Sequence, residues 1–187
     1  MKRRTPSAPV FVHPQAIVES RRVGKGTRVW AFAHVQEHAV VGADCNLGEH
    51  CFVENGAVVG DRVTVKNGVF LWEGMRVADD VFIGPNATFT NDRHPRSPRS
   101  RAGKLRYANR QWVAPVILES GCSVGANATV IGPVRLGRRC MVAAGAVVTR
   151  DVEAGALVAG NPARLVGRVN ARGERQAPRR AGGRRRA

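Results

Sequence analysis

The chain has 187 residues, a length that suits one domain with extensions at its ends. Apolar residues make up 43% of it but aromatic residues only 5%, and glycine occurs 21 times, a composition that favours many short strands and tight turns around small side chains. No apolar stretch approaches the ~18–20 residues of a membrane helix, and no apolar segment follows the basic N-terminus. We therefore expect a cytoplasmic protein with no membrane partner.

The formal net charge of +16 is concentrated in three segments. Residues 92–110 hold six arginines, one lysine and one aspartate. An N-terminal extension, residues 1–10, and a C-terminal tail, residues 170–187, hold most of the remaining excess. Both segments are basic, and we expect the tail to be disordered. Since no aromatic platform or nucleic-acid motif accompanies this charge, the sequence disfavours nucleic acid as a partner.

An aliphatic or aromatic residue recurs at every sixth position from residue 11 to residue 89. The series is Phe11, Ile17, Val23, Val29, Val35, Val41, Leu47, Val53, Val59, Val65, Leu71, Val77, Ile83 and Phe89. A small or apolar residue commonly stands two positions earlier, as at Ala33, Cys45 and Val63. Residues two apart share one face of a strand, whereas a helix would repeat at three and four. Each hexad therefore predicts a short strand with two inward side chains, followed by a corner.

Three such hexads form one triangular coil, and stacked coils pair edge to edge so that the inward residues make continuous columns. We expect glycine after the aliphatic residue, as at Gly24 and Gly42, to supply the backbone angles of the corners. The cysteines occupy inward positions and are expected to be inert core residues; they are Cys45, Cys51, Cys122 and Cys140. The predicted fold class is all-β, a parallel β-helix of about seven triangular coils.

The repeat stops over a predicted loop, residues 90–116, and its phase changes there. Long loops in compact repeat proteins are commonly functional, although a flexible solvated loop is the alternative. Arginine is well suited to phosphate groups, and Asn91, His94 and Trp112 stand among the arginines of this segment. We therefore expect the loop to carry a functional site.

The hexads resume after the loop. Their apolar positions are Leu118, Val124, Val130, Leu136, Val142 and Val148. A closing segment follows, Val158-Ala159-Gly160-Asn161-Pro162-Ala163-Arg164. We therefore place one β-helix domain at residues 11–169.

The hexads and the closing segment resemble those of the hexapeptide-repeat acyltransferases. The resemblance implies a left-handed β-helix, acetyl-coenzyme A as the acyl donor and no metal. It also implies a homotrimer, in which the pantetheine arm of the donor lies between two prisms.

Shorter motifs within residues 11–169 resemble one subfamily, the nucleotide-sugar 3-N-acetyltransferases. They include Thr27-Arg28-Val29-Trp30, Leu71-Trp72-Glu73-Gly74, Phe89-Thr90-Asn91 and Val124-Gly125-Ala126-Asn127. The resemblance implies an N-acetyltransferase that acts on the 3-amino group of a nucleotide-linked amino sugar. The acceptor would be UDP-2-acetamido-3-amino-2,3-dideoxyglucuronate or a dTDP-3-amino-3,6-dideoxyhexose.

By this resemblance the site divides into three sets of residues. The catalytic candidates are Asn91 and His94, and the proton of the attacking amine leaves either to His94 or to the departing thiolate. The acceptor-binding candidates are His34, Asn67, Trp72, Arg93 and Arg96. The coenzyme A-binding candidates are Ala126, Asn127, Ala143, Ala144, Gly145, Arg164 and Arg168.

Other functions fit parts of the pattern. A different hexapeptide acyltransferase would acetylate a hydroxyl or another small amine. A non-catalytic scaffold would bind through its basic segments, and steep salt-dependent binding to arbitrary DNA would favour it. A γ-type carbonic anhydrase would need three histidines around zinc, and the one cluster, His34, His38 and His50, lacks the matching register.

Overall fold

The structure of the protein is a computed structural model that describes residues 8–176. Strands of two to five residues wind into a left-handed parallel β-helix with three faces, which confirms the predicted fold class. We number the faces in chain order. The first corner joins the first face to the second, the second corner joins the second face to the third, and the third corner returns to the first.

The first face carries eight parallel strands that pair in order along the helix. They are Phe11–Val12, Arg28–Val29, Asn46–Leu47, Thr64–Val65, Phe82–Ile83, Ser123–Val124, Met141–Val142 and Ala156–Ala159. A ninth strand, Arg164–Arg168, pairs antiparallel with Ala156–Ala159 and ends this sheet.

The second and third faces complete each coil. The second-face strands are Ile17–Val18, His34–Val35, Phe52–Val53, Phe70–Leu71, Thr88–Thr90, Thr129–Ile131 and Val147–Val148. The third-face strands are Val40–Val41, Val58–Val59, Arg76–Val77, Val116–Leu118 and Val134–Leu136, extended by bridges from Val23 to Val41 and from Leu136 to Val152. The described chain therefore makes seven coils and begins an eighth on the first face, in agreement with the predicted number.

The inward side chains of successive coils form the core. Leu47, Ile83 and Leu136 are among the residues with 0% exposure, and the backbone of each coil pairs with the next, as where the Trp30 N–H donates to the Leu47 carbonyl at 3.0 Å. All four cysteines lie in this core as predicted. Burial raises the pKa of the Cys51 thiol to about 11, so this thiol stays protonated and unreactive at neutral pH.

The glycines after the aliphatic positions have a different role from the predicted one. Gly42 and Gly125 do not have left-handed backbones, but a Cβ on either would lie 2.4 Å from backbone atoms of the next coil. The left-handed position comes two residues later and accepts other residue types, such as Asp44 and Asn127, each with φ of 55°. Close contact between coils, rather than the corner angle, therefore requires these two glycines.

The first two strands are out of register with the predicted repeat. Val12, not Phe11, pairs with the inward Val29, and Val18 replaces Ile17 in the same way. Phe11 and Ile17 point outward and are 40% and 56% exposed. Two adjacent apolar residues offer two registers, and only packing against the next coil selects between them. The prediction of an unbroken six-residue phase was therefore wrong at Phe11 and Ile17, whereas Val23 bridges to the inward Val41 as the repeat predicts.

The described C-terminal segment continues past the expected domain boundary at residue 169. A turn at Asn170 is closed by hydrogen bonds to Glu174, and Val169 bridges to Arg175. Residues 170–176 therefore extend the β structure. The rest of the predicted tail, residues 177–187, and residues 1–7 of the predicted extension lie outside the described residues. Between residues 8 and 176, no helix is long and apolar enough to cross a bilayer.

Candidate functional site

The loop leaves the β-helix at the second corner and folds into a compact unit. Its two ends meet, because the Ala114 N–H donates to the Asn91 carbonyl at 2.7 Å. Between these ends lie an α-helix, Arg101–Arg106, and a 3-10 helix, Arg110–Trp112. The hydroxyl of Ser100 accepts a backbone N–H of the α-helix and serves as its N-cap. The interruption of the repeat is thus an ordered structural element with its own hydrogen bonds.

Asp92 lies at the centre of the loop. Its carboxylate accepts hydrogen bonds from the Arg106 guanidinium, from the Tyr107 hydroxyl at 2.7 Å and from the His94 backbone N–H at 2.9 Å. The Arg106 hydrogen bonds, followed by that of Tyr107, hold the pKa of Asp92 well below its ordinary value. Asp92 is therefore ionised at neutral pH, and it neutralises one of the loop's seven basic residues.

The root of the loop is tied to the neighbouring coil. The Asn91 side-chain amide donates to the Glu73 carbonyl at 3.2 Å, and the Glu73 carboxylate forms an ion pair with Arg110. The Glu73 N–H in turn donates to the Glu54 carboxylate at 2.7 Å, and burial raises the pKa of Glu54. Asn91 is therefore held in place at the second corner, as a residue that orients a substrate must be.

An open groove of about 650 Å³ lies along the loop, beside its root. Its lining combines flat apolar surfaces with polar groups; the residues are Asn91, Asp92, Pro95, Pro98, Tyr107, Ala108, Asn109, Arg110 and Trp112. The rings of Tyr107 and Trp112 meet edge to face, 5.2 Å apart. A groove of this size and mixed character can hold a ligand as large as a nucleotide sugar.

Arg93, His94 and Arg96, which were predicted to contact the acceptor, are exposed on the same loop. Among the described residues, neither arginine forms an ion pair, and the Arg96 guanidinium donates only to the Pro95 carbonyl, at 2.9 Å. Both guanidinium groups are therefore available to an anion. The backbone of His94 is fixed by Asp92, whereas its imidazole has no hydrogen-bond partner within residues 8–176.

Trp72 was predicted to face the acceptor, and the structure gives it a supporting position. Its indole N–H donates to the Phe89 carbonyl at 2.8 Å, and its half-buried ring packs edge-on against Phe52 and Phe70. The donor of Trp72 is thus used within the chain. The side chain supports the strand that leads directly into Asn91.

His34 and Asn67 lie away from the loop within one chain. His34 is on the second face, three coils before Thr88, which corresponds to about 14 Å at ~4.8 Å per coil. Its Nε2 is 3.4 Å from a Glu19 carboxylate oxygen. Asn67 is at the first corner, where its side-chain oxygen lies over Gly48 of the preceding coil. The structure therefore does not bring either residue to the groove of its own chain.

Five of the coenzyme A-binding candidates come together at the first corner; they are Ala126, Asn127, Ala143, Ala144 and Gly145. They stack directly, since the Gly145 N–H donates to the Ala126 carbonyl at 2.9 Å. Arg164 begins the antiparallel strand next to the same corner. Arg168 lies at the other end of that strand, at the third corner, where it is paired with Glu153 at 2.8 Å. Six of the seven predicted coenzyme A-binding residues therefore lie near the first corner, and Arg168 lies apart from them at the third corner.

The three histidines considered for a zinc site do not converge. His34 is on the second face, His38 at the second corner and His50 at the first corner, where its ring stacks on Phe32 at 4.9 Å. Across residues 8–176, no group of three or more His, Cys, Asp or Glu side chains could hold a metal ion.

The sequence interpretation missed the residues that shape the loop, namely Asp92, Arg106 and Tyr107. A signal for two of them was present. Asp92 is the one acidic residue among residues 92–110, and Tyr107 is the one tyrosine of the chain. An isolated acid within a strongly basic segment is a candidate for an internal ion pair, because it has many partners of opposite charge.

Comparison with protein families identifies the repeat. A family model described as the hexapeptide repeat of succinyl-transferase matches residues 38–72 and residues 115–150. Both matched segments carry the six-residue repeat, and together they make up less than half of the chain. The two matched segments lie on either side of most of the loop, so the family match describes the scaffold and not the groove.

Among curated proteins, the chain is similar to the dTDP-3-amino-3,6-dideoxy-alpha-D-galactopyranose 3-N-acetyltransferase of Aneurinibacillus thermoaerophilus. The identity is 51% over 37 residues, which make up 20% of this chain and 19% of that protein. The chain therefore matches about a fifth of the length of this curated relative.

Among solved structures, the chain is similar to a mutant of perosamine N-acetyltransferase from Caulobacter crescentus, solved with CoA and GDP-perosamine. The identity is 25%, the match covers 86% of this chain and 58% of that chain, and the TM-score is 0.46. A mutant of AntD, an N-acyltransferase from Bacillus cereus in complex with dTDP and coenzyme A, gives 14% identity, coverage of 85% and 80%, and a TM-score of 0.48. With TM-scores below 0.5, neither likeness supports an argument about function.

Proposed function

We propose that the protein transfers the acetyl group of acetyl-coenzyme A to the 3-amino group of a UDP- or dTDP-linked amino sugar. The observation that carries the proposal is the groove lined by Asn91, Tyr107 and Trp112. It lies on the same loop as the exposed arginines Arg93 and Arg96. A nucleotide sugar has a diphosphate, a flat base and a polar ring. Arginines suit the diphosphate, apolar and aromatic surfaces suit the base, and a fixed amide suits the sugar.

Sequence similarity supports the same substrate class. The curated relative, named for a dTDP-3-amino-3,6-dideoxyhexose acceptor, shares 51% identity with this chain over 37 residues. Nucleotide sugars and acetyl-coenzyme A are metabolites of the cytoplasm, and we propose that the enzyme acts in this compartment.

The proposed reaction is attack of a neutral amine on the thioester carbonyl. Asn91 would orient the amino sugar, and its fixed position would reduce the entropy lost on reaching the reactive geometry. Backbone N–H groups would stabilise the negative charge that develops on the carbonyl oxygen. The amine loses one proton as the C–S bond breaks. This proton goes either to the His94 imidazole or to the departing sulfur.

We further propose that the active unit is a homotrimer. The loop groove is at the second corner, whereas the coenzyme A candidates around Ala126 and Gly145 are at the first corner. One face separates them, on the order of 20 Å for about six residues at ~3.3 Å each. A single chain would keep donor and acceptor apart. Three prisms packed around an axis would place the second corner of one chain against the first corner of its neighbour.

The test is an acetyl-transfer assay against a panel of UDP- and dTDP-linked amino sugars, with the matching hydroxy sugars as controls for O-acetylation. We expect turnover with 3-amino acceptors only. Acetylation of the hydroxy sugars alone would replace this proposal by an O-acetyltransferase. Sedimentation of the same preparation should give three times the mass of the chain, and a stable, active monomer would contradict the trimer.

A further inference from the structure

The Asp92 carboxylate joins two segments of the loop that are distant in sequence. It accepts the His94 N–H on one side and the Arg106 guanidinium and Tyr107 hydroxyl on the other. Its side chain is only 11% exposed. A carboxylate that is so enclosed and that accepts several charge-assisted hydrogen bonds is a strong and directional contact.

The Tyr107 hydroxyl extends this contact to the segment that holds Arg96. It donates to Asp92 at 2.7 Å and accepts the Arg96 backbone N–H at 3.1 Å. The Tyr107 ring also packs against Trp112. One carboxylate therefore fixes the backbone at His94 directly and at Arg96 through one hydroxyl, while the same tyrosine forms a wall of the groove.

No other acid of the loop can replace Asp92, because it is the one acidic residue between residues 92 and 110. The adjacent Glu73, on the coil, is already paired with Arg110. Removal of the Asp92 charge would leave Arg106 enclosed, at 25% exposure, without its partner. It would also add a cation to a segment in which like charges already repel one another.

We propose that Asp92 is a positioning residue that folds the loop into the acceptor groove. Together with Arg106 and Tyr107 it forms a latch that sets the places of His94 and Arg96 before the acceptor binds. This proposal rests on the proposed function for the identity of the ligand. Its geometric part, that Asp92 closes the loop, is independent of that function. Pre-organisation of this kind lowers the ordering cost that binding would otherwise incur.

The experiment compares full-length Asp92→Asn and Tyr107→Phe with the matched control Leu105→Ala, a residue of the same α-helix that is 72% exposed. The first readout is digestion by an arginine-specific protease, since Arg93, Arg96, Arg99 and Arg101 are all exposed. Mass spectrometry of the fragments separates cuts in the loop from cuts in the tails. The second readout is the KM of acceptor and of acetyl-coenzyme A. Thermal unfolding by circular dichroism checks the coils, which Asp92 does not support.

We expect Asp92→Asn to accelerate loop cleavage about tenfold or more and to raise the acceptor KM by a similar factor, as fits the loss of charge-assisted hydrogen bonds. The KM of acetyl-coenzyme A should not change. Tyr107→Phe should give a smaller change in the same direction, and Leu105→Ala should behave as wild type. Addition of dTDP should slow loop cleavage in the wild type more than in Asp92→Asn.

A wild-type cleavage rate in Asp92→Asn would overturn the latch. Faster cleavage with an unchanged acceptor KM would overturn the positioning role. If the wild-type protein acetylates none of the amino sugars, the proposed function fails. The cleavage rates measured without ligand then still decide for or against the latch.

Discussion

The coils and the loop of this protein are stabilised by different interactions. In the coils, apolar columns such as Leu47 and Leu136 have no exposed surface, and neighbouring backbones pair throughout. In the loop, residues 91–115, the contacts are mostly polar and centre on Asp92, and Gly103 and Ala114 are its only buried residues. Hydrophobic burial therefore maintains the scaffold, whereas charge and hydrogen bonding shape the site.

This comparison explains why the two regions should respond to opposite changes. A coil should tolerate loss of a surface charge but not a change of volume or polarity inside. The loop should tolerate changes of exposed side chains without partners, such as Leu105, but not the loss of charged groups that fold it or face the ligand, such as Asp92 and Arg96. The following predictions test this difference, from the largest expected effect to the smallest.

The same substitution in both regions should give the largest contrast. Leu118→Asp places a carboxylate in a core position with 0% exposure, and burial of an unpaired charge costs several kcal/mol out of a total stability of about 5–15 kcal/mol. We expect this variant to be unfolded by circular dichroism. Leu105→Asp, at a position with 72% exposure in the loop, should keep the wild-type melting temperature. Equal destabilisation of both would show that the loop and the coils are one cooperative unit.

Excision of the loop should abolish activity and leave the scaffold intact. The Asn91 carbonyl and the Ala114 N–H are 2.7 Å apart, so residues 92–113 can be replaced by two glycines without a shift of the coils. We expect acetyl transfer below detection and the circular dichroism spectrum of a β-helix. Sedimentation should still give three times the mass of the shortened chain. Retained turnover with any amino sugar would place the acceptor site elsewhere on the prism.

Loss of one loop arginine should weaken acceptor binding specifically. Arg96→Ala should raise the acceptor KM about ten- to a hundredfold, because a charge-assisted hydrogen bond contributes roughly 1.5–3 kcal/mol. The KM of acetyl-coenzyme A should stay constant. Arg99→Ala, an exposed arginine of the same loop, is the control for the change in net charge. Equal effects of both variants would mean that the loop attracts the nucleotide by its overall charge rather than through Arg96.

The smallest effect should come from the histidine of the loop. A true general base contributes about 10²–10⁴ to the rate, whereas the departing sulfur can accept the proton without help from the protein. We expect His94→Asn to keep more than about a tenth of the wild-type kcat. A loss of three orders of magnitude, with normal acceptor binding and fold, would falsify the sulfur-assisted route and assign His94 as the base.

Local periodicity explains how far the fold could be predicted. The six-residue spacing specified the inward positions, because a repeated pattern has few ways to pack all its apolar residues against neighbouring coils. It was wrong at Phe11 and Ile17, where the end of the helix supplies packing on one side only. It also gave the wrong reason for Gly42 and Gly125, since a sequence does not show how closely two coils approach.

The sequence by itself determined the repeat, the core residues, the number of coils and the position of the interrupting loop, because each depends on spacing along the chain. The tertiary structure decided which polar residues meet. It paired Asp92 with Arg106 and Tyr107, turned Trp72 onto the Phe89 carbonyl, and separated Arg168 from Gly145 by the width of a face. Contacts of this kind join residues that no periodic rule relates, since they depend on how the loop folds back on itself and on which corner each coil presents.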